Sequence, residues 1–147
     1  MKATQPTKLE DIKREWHLID VKHQVLGRVS GKIAKFLMGK SKPYFVRNLD
    51  CGDYVVVINA KEVSMTGKKE ERKKYYRHSG FPGGLKVETF RELRARKPEE
   101  TVRHAVKGML PQNKLRDKML KRLLISEGEE HPYKDKFEAR SGKSETI

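Results

Sequence analysis

Residues 54–58 read Tyr-Val-Val-Val-Ile, an uninterrupted run of β-branched and aromatic side chains. A run of this kind, without polar alternation, is typical of a strand that is buried on both faces. Residues 16–21 form a second short β-rich run, and between residues 26 and 38, just before Gly39, apolar residues recur at helical spacing. Strand, helix and buried strand in this order predict a βαβ unit, which places the two strands parallel in one sheet.

The second half of the chain predicts shorter elements. Residues 75–78 are compatible with a short strand, and the glycine-rich residues 79–84 predict a loop. Residues 87–96 predict a weak helix. Another helix is expected to begin at Pro98, because proline suits the first turn and the two glutamates after it complement the helix dipole. A last helix is expected over about residues 113–123.

The length of 147 residues is typical of one domain. We expect an N-terminal extension over residues 1–15, a single domain over 16–126 and a C-terminal tail over 127–147, mobile beyond His131. Cys51 is the only cysteine, which excludes an internal disulfide and a thiolate zinc site, and we expect it to be a small buried residue.

The chain shows no sign of a membrane or export segment. No apolar run approaches the roughly 18 residues that a membrane span needs, and the first residues lack the apolar stretch of a signal peptide. We therefore expect a protein without a membrane partner, in the reducing environment of the cytoplasm.

The charge is strongly unbalanced, with 34 Lys and Arg against 20 Asp and Glu, a net +14 at pH 7. Such a surplus repels itself in a compact fold unless an anionic partner neutralises it. The candidates are nucleic acid, an anionic membrane surface and an acidic protein. The surplus lies in residues 28–47, 68–77 and 103–122, whereas the end after residue 126 is mildly acidic. Three separated basic segments in one small domain predict a wide contact surface.

The candidate contact residues follow these segments. The first segment contributes Arg28, Lys32, Lys35, Lys40, Lys42 and Arg47. The second, with the loop that follows it, contributes Lys68, Lys69, Arg72, Lys73, Lys74, Tyr75, Tyr76, Arg77, His78, Ser79, Gly83, Gly84 and Lys86. The third contributes Lys107, Lys114, Arg116 and Lys118.

Residues 66–86 are the most informative of these stretches, because basic, aromatic and glycine residues occur there together. Glycine lets backbone N–H groups approach a phosphate, lysine and arginine supply charge, and tyrosine can stack on a base or bond to a sugar. The alternative is an ordinary surface loop with a solvated charge run. The combination favours contact with nucleic acid.

The sequence contains no convincing catalytic or metal-binding pattern. Gly31-Lys32 lacks the spacing of a phosphate-binding P-loop, and the five histidines show none of the spacings of common zinc sites. We therefore expect no enzyme activity, cofactor, metal or small-molecule substrate. Two alternatives stay open from the residues alone. One is a helix-turn-helix DNA regulator with its determinants in residues 98–124, and the other is a phosphate-handling enzyme.

Several motifs, in order along the chain, resemble the bacterial-type ribosomal protein L13 (uL13) family. They are WHLID at 16–20, LGRVSGKIAKFLMGKSKPYF at 26–45, GDYVVVINA at 52–60, TGKK at 66–69, YYRHSGFPGGLK at 75–86 and AVKGMLPQNKL at 105–115. His131-Pro132 resembles the late His-Pro motif of the family. The chain departs from the family pattern at Arg116, where many members have glycine, and at Tyr133, where they often have histidine.

The resemblance implies a three-layer α/β/α fold around a mostly parallel four-stranded sheet, with basic loop extensions. It also implies a structural constituent of the large ribosomal subunit that binds 23S-type rRNA, supports early subunit assembly and lies beside neighbouring large-subunit proteins. The RNA-facing residues it implies are the Lys68-Lys69 pair and residues 75–86 and 107–111.

Overall fold

The computed structural model describes residues 6–138, so the predictions for residues 1–5 and 139–147 lie outside it. The fold is a mixed α/β domain with eleven helices and strands in the described part of the chain, apart from two short 3₁₀ turns. In chain order they are β1 (Trp16–Asp20), α1 (Leu26–Met38), β2 (Tyr54–Ile58), α2 (Lys69–Arg72), β3 (Lys74–His78), β4 (Leu85–Thr89), α3 (Phe90–Arg96), α4 (Pro98–Met109), α5 (Leu115–Lys121), β5 (Leu123–Ile125) and α6 (Asp135–Glu138).

The predicted βαβ unit is confirmed. β1 pairs parallel with β2 from Trp16 opposite Tyr54 to Asp20 opposite Ile58, and α1 connects the two strands. β2 is the central strand, and Val55, Val56 and Val57 are almost fully buried, as the unbroken β-branched run predicted.

The sheet is parallel but smaller than expected. Among residues 6–138 it has three strands in the order β1-β2-β5, and not the four that the resemblance implied. Leu123, predicted to lie in the last helix, pairs with Val55 in β5 instead. Burial explains this difference, because Leu123 is 1% exposed and completes the apolar layer beside the central strand.

A second, two-stranded antiparallel sheet stands apart from the first. β3 confirms the predicted strand at residues 75–78, but β4 occupies the start of the predicted helix over 87–96. The helix α3 begins only at Phe90, because the Thr89 hydroxyl accepts a hydrogen bond from the Glu92 N–H while the Glu92 carboxylate accepts one from the Thr89 N–H. This capping box ends the hairpin and starts the helix.

One apolar core joins the sheet to helices α1 and α4. It includes Ile33 and Leu37 of α1, Val106 of α4 and Phe90, all fully buried. Burying an aromatic or aliphatic side chain of this size stabilises a fold by about 1.5–3 kcal/mol. The core therefore fixes α4 against α1, and the hairpin that precedes α3 is held at its base.

Residues 39–53, between α1 and β2, are held by buried charges. Asp53 accepts hydrogen bonds from Lys42 and from the Glu15 N–H, and it contacts His17 Nε2 at 3.1 Å. Cys51 is fully buried, as expected. This segment is thus an ordered connection rather than a free loop.

The residues after β5 also make contacts with the sheet. The Asn59 N–H bonds to the Gly128 carbonyl, and Trp16 is stacked on Tyr54 and lies 5.8 Å from the ring of Tyr133. Phe137 of α6 meets Trp16 edge-on. The segment beyond His131 thus contacts the sheet through Tyr133 and this short helix, and its expected mobility stays a prediction.

Candidate nucleic-acid interface

The β3–β4 hairpin and helices α3 and α4 enclose a groove of about 370 Å³, here called the hairpin groove. It forms because α4 packs on the core through Val102 and Val106, which leaves the opposite side of the helix toward the hairpin. The lining residues are Tyr75, Tyr76, Arg77, Lys86, Glu88, Leu93, Arg96, Glu100, Arg103, His104 and Lys107.

The hairpin groove is strongly cationic. Four of its cations are exposed and form no ion pair within residues 6–138. They are Arg77, Lys86, Arg103 and Lys107. Its two carboxylates are already matched, Glu88 with Arg96 at 2.7 Å and Glu100 with Lys97 at 3.3 Å. The field in the groove therefore favours an anionic ligand.

A second groove, here called the helix groove, lies between the start of α1, residues 65–73 and the end of α4. Its volume is about 670 Å³, and Lys69, Arg72 and Lys73 line it. Glu70 beside them pairs with Arg94 at 3.2 Å, so it does not neutralise these cations. The lining is completed by Val25, Leu26, Gly27, Met65, Thr66, His104, Ala105, Gly108 and Met109.

The two grooves meet at His104 of α4, which lines both. The His104 ring contacts Tyr75 edge-on, with ring centroids 5.1 Å apart, and Lys73 Nζ lies 5.3 Å from the Tyr75 centroid. Basic residues from two segments far apart in sequence, 68–77 and 103–107, thus form one continuous surface.

The adjacent tyrosines of β3 differ in their surroundings. Tyr75 is half-buried against the core, and its hydroxyl is enclosed without a hydrogen-bond partner in the described structure. Burial raises the pKa of that hydroxyl above its ordinary value of 10.0. Tyr76 is 68% exposed. Tyr75 therefore supports the groove wall, whereas Tyr76 is free for contact.

The glycine-rich loop 79–84 connects β3 to β4, as predicted. Gly80 and Gly83 have φ of +88° and +72°, a backbone region that glycine adopts without steric cost. The Gly80 N–H donates to His78 Nδ1 and the Gly84 N–H donates to the Phe81 carbonyl. These two N–H groups are used inside the turn, so the glycines shape the hairpin rather than present a row of free donors.

The predicted residues of the first segment lie outside both grooves. Arg28, Lys32 and Lys35 are exposed along α1, opposite its buried side, and Lys40 and Arg47 are exposed in the connection to β2. Lys42 differs, because its ammonium group bonds to Asp53 and to the carbonyls of Lys13 and Cys51, and its side chain is only 11% exposed.

The predicted residues of the third segment are divided as well. Lys107 lines the hairpin groove, while Lys114 and Lys118 are exposed near or on α5. Arg116 is half-buried, and its Nε has no hydrogen-bond partner among the described residues. Of the second segment and its loop, Lys68, Lys74, His78, Ser79, Gly83 and Gly84 lie on or beside the hairpin without lining a groove.

Sequence reasoning missed three basic residues of the hairpin groove. Arg96, Arg103 and His104 line it but were not candidate contact residues. A signal for Arg103 and Lys107 existed, since they are four residues apart and alternate with buried Val102 and Val106 along α4. No local signal pointed to Arg96, because its position depends on the tertiary contact between α3 and the hairpin.

Within residues 6–138, no helix combines the length and apolarity that crossing a membrane requires. The same residues contain no group of three or more His, Cys, Asp and Glu side chains placed to hold a metal ion.

Comparison with known proteins gives a consistent result. Residues 14–132 match the model of the family described as ribosomal protein L13. A relative from Dehalococcoides mccartyi, named large ribosomal subunit protein uL13, is 56% identical over 130 residues, which cover 88% of this chain and 91% of the relative. Proteins of the same name from Aquifex aeolicus and Thermobifida fusca are 50% and 51% identical, covering 88% and 86% of this chain and 90% and 85% of theirs.

Proposed function

Because the chain belongs to the ribosomal protein L13 family of the large ribosomal subunit, we propose that it binds large-subunit rRNA through its two cationic grooves. Members of this family are structural proteins and not enzymes. The observation that carries the proposal is the convergence of unpaired cations on grooves that share His104.

Charge and shape both support an RNA backbone as the ligand. Neutralising phosphates with Lys and Arg releases condensed counterions, which is a major source of affinity for nucleic acid. Grooves between a hairpin and helices present cations over a curved surface and can follow the shape of folded RNA. Specificity is then expected to come mainly from RNA shape, with phosphate and 2′-OH contacts more numerous than contacts to base edges.

The remaining candidates, all exposed except the half-buried Arg116, extend this surface. Arg28, Lys32 and Lys35 on α1, Lys40 and Arg47 after it, and Lys114, Arg116 and Lys118 around α5 are proposed to contact RNA that passes beyond the grooves. Lys42 is assigned a different role, holding residues 40–53 in place through Asp53. The helix-turn-helix alternative is less favoured, because the cations of α4 line a groove together with the β3–β4 hairpin, which lies outside residues 98–124.

The wider role proposed is that of a cytoplasmic constituent of the large subunit that supports early assembly, beside neighbouring large-subunit proteins. Residues 16–126 would form the rRNA-binding domain, with an N-terminal extension over 1–15 and a C-terminal tail over 127–147. An RNA partner would neutralise much of the +14 charge of the isolated chain.

Co-sedimentation tests the proposal. A tagged full-length chain, expressed in a bacterium, is expected to sediment with the large subunit and to stay there after a high-salt wash that removes loosely bound proteins. A control variant in which Arg77, Lys86, Arg103 and Lys107 are changed to Gln is expected to be washed off. Recovery of the wild-type chain only at the top of the gradient would contradict the proposal.

A further inference from the structure

The hairpin has an outward face, and of the residues on it only Tyr76 also lines a groove. In its register Tyr76 lies opposite Val87 and His78 lies opposite Leu85, so these four residues share one face. The other face carries Tyr75, which packs on the core. The alternation along β3 thus separates a supporting face from a free one.

The outward face is apolar to an extent found nowhere else in residues 6–138. Four of the six exposed large apolar side chains of that range belong to the hairpin: Tyr76 at 68%, Phe81 at 73%, Leu85 at 57% and Val87 at 44% exposure. A concentration of this kind on a small protein marks a contact site. No other element of the described chain forms a strand pair with this hairpin.

The charges around this face identify the type of occupant. Lys74 lies on the same face as Tyr76. Arg77 and Lys86 lie opposite each other on the other face of the hairpin. The only acid of the two strands, Glu88, is bound to Arg96 at 2.7 Å. An exposed aromatic ring among unmatched cations suits a ligand with a flat apolar surface and an anionic backbone.

We infer that the outward face of the hairpin is a stacking platform for an unpaired nucleotide of RNA. A base stacks on the Tyr76 ring and against Val87, while Lys74 lies within reach of its phosphate. This is the arrangement by which sheet aromatics bind single-stranded RNA, and base-paired RNA cannot use it because its bases are already stacked. The inference rests on the proposed function and adds to it the class of RNA element recognised.

A pair of RNA probes tests the platform with the full-length chain. One is a short single strand carrying the fluorescent base 2-aminopurine, and the other is its fully paired duplex. Tyr76→Ala is expected to weaken binding of the single strand by about 5- to 100-fold and to abolish quenching of the 2-aminopurine, since one stacked base contributes this much to affinity. Tyr76→Phe is expected to retain both, because it keeps the ring.

The controls separate this inference from the proposed function. Leu9→Ala removes an exposed apolar side chain elsewhere, 72% exposed, and is expected to leave both probes unaffected. Binding of the duplex should weaken far less in Tyr76→Ala than binding of the single strand, because no charge is changed and a paired base cannot stack on the ring. This also confirms that the variant is folded.

Two results would overturn the inference. If Tyr76→Ala bound the single strand as tightly as the wild type, with duplex binding intact, the stacking platform would be wrong but the proposed rRNA binding would stand. The outward face would then be a candidate contact for an apolar surface of a neighbouring protein. If the wild-type chain bound neither probe, the proposed function would itself fail and the platform with it.

Discussion

Two of the cations that contribute to the +14 charge act inside the molecule. Arg122 lies 6% exposed, and its guanidinium binds both carboxylate oxygens of Asp50 and also donates to the Asp53 carbonyl. Lys42 is bound to Asp53 in the same region. A count of basic residues along the sequence cannot separate these from surface cations, because the partners Asp50 and Asp53 become neighbours only in the fold.

Removing Arg122 leaves the Asp50 carboxylate with only the more exposed Arg14, 3.7 Å away, so Arg122→Met is expected to lower the free energy of unfolding by up to about 3 kcal/mol. Denaturant titration measures the change. Lys121→Met, which alters an exposed cation next in sequence, is the matched control and should change stability by less than about 0.5 kcal/mol. Equal effects of the two changes would show that the Asp50 pair does not stabilise the fold.

Asp53 predicts a pH dependence of stability. Burial raises the pKa of its carboxyl group, but hydrogen bonds with His17, Lys42 and the Glu15 N–H outweigh burial, so the pKa lies below its ordinary value of 3.8. A carboxyl group whose pKa is lowered by folding stabilises the fold at pH values above its pKa in the unfolded chain. This contribution is lost as the pH falls through the pKa of the folded state.

The stability difference between the wild type and Asp53→Asn should therefore be largest above about pH 5 and should narrow as the pH falls below 3.8. Unfolding titrations at a series of pH values measure this difference. A constant difference over the whole acid range would mean that the ionised carboxylate contributes nothing to the stability of the fold.

At the scale of elements, two stretches of backbone approach so closely that position 52 requires glycine. The end of α1 and the residues before β2 pass so near each other that a Cβ on Gly52 would lie 1.7 Å from the Leu37 carbonyl oxygen. A side chain at position 52 would therefore push the end of α1 away from the residues before β2. Gly31, in the middle of α1, has no atom within 4 Å of its would-be Cβ.

Alanine at these two glycines is expected to act in opposite directions. Gly52→Ala should destabilise the protein by about 3 kcal/mol or more, because backbone must move to admit the methyl group. Gly31→Ala should stabilise it by about 1 kcal/mol, since alanine favours a helix interior. Thermal and denaturant unfolding measure both, and a tolerated Gly52→Ala would contradict the packing of α1 on the start of β2.

The elements differed in how far they could be predicted. β1, α1 and β2 are encoded by local periodicity and were predicted to within a residue or two. β4 was not, although Leu85, Val87 and Thr89 alternate with Lys86 and Glu88 at strand spacing, because the helix that follows was extended back to residue 87. β5 was missed for a related reason, since Leu123–Ile125 follows a helix and is fixed by pairing with β2.

At the scale of the whole molecule, the RNA-binding surface is a product of tertiary structure. The three basic segments and the hairpin aromatics were visible in the sequence, and most of the residues of both grooves that could bind phosphate lie in them. The sequence did not show which of these residues come together in one groove. The grooves exist because α4 packs on α1 while the hairpin projects beside α4, and this brings Arg77 and Lys86 near Arg103 and Lys107.

The salt dependence of RNA affinity tests whether the groove cations contact phosphates. Arg77, Lys86, Arg103 and Lys107 are changed together to Gln, and the matched control changes four exposed cations outside the grooves, Lys8, Lys13, Lys134 and Lys136, so that both variants lose the same charge. Binding of a large-subunit rRNA fragment is then measured over a range of salt concentrations for the wild type and both variants. If the groove cations contact phosphates, the groove variant should lose about 3 from the magnitude of the log–log slope, while the control keeps nearly the wild-type slope. An equal loss in the two variants would contradict the account, because affinity would then follow net charge and not the grooves.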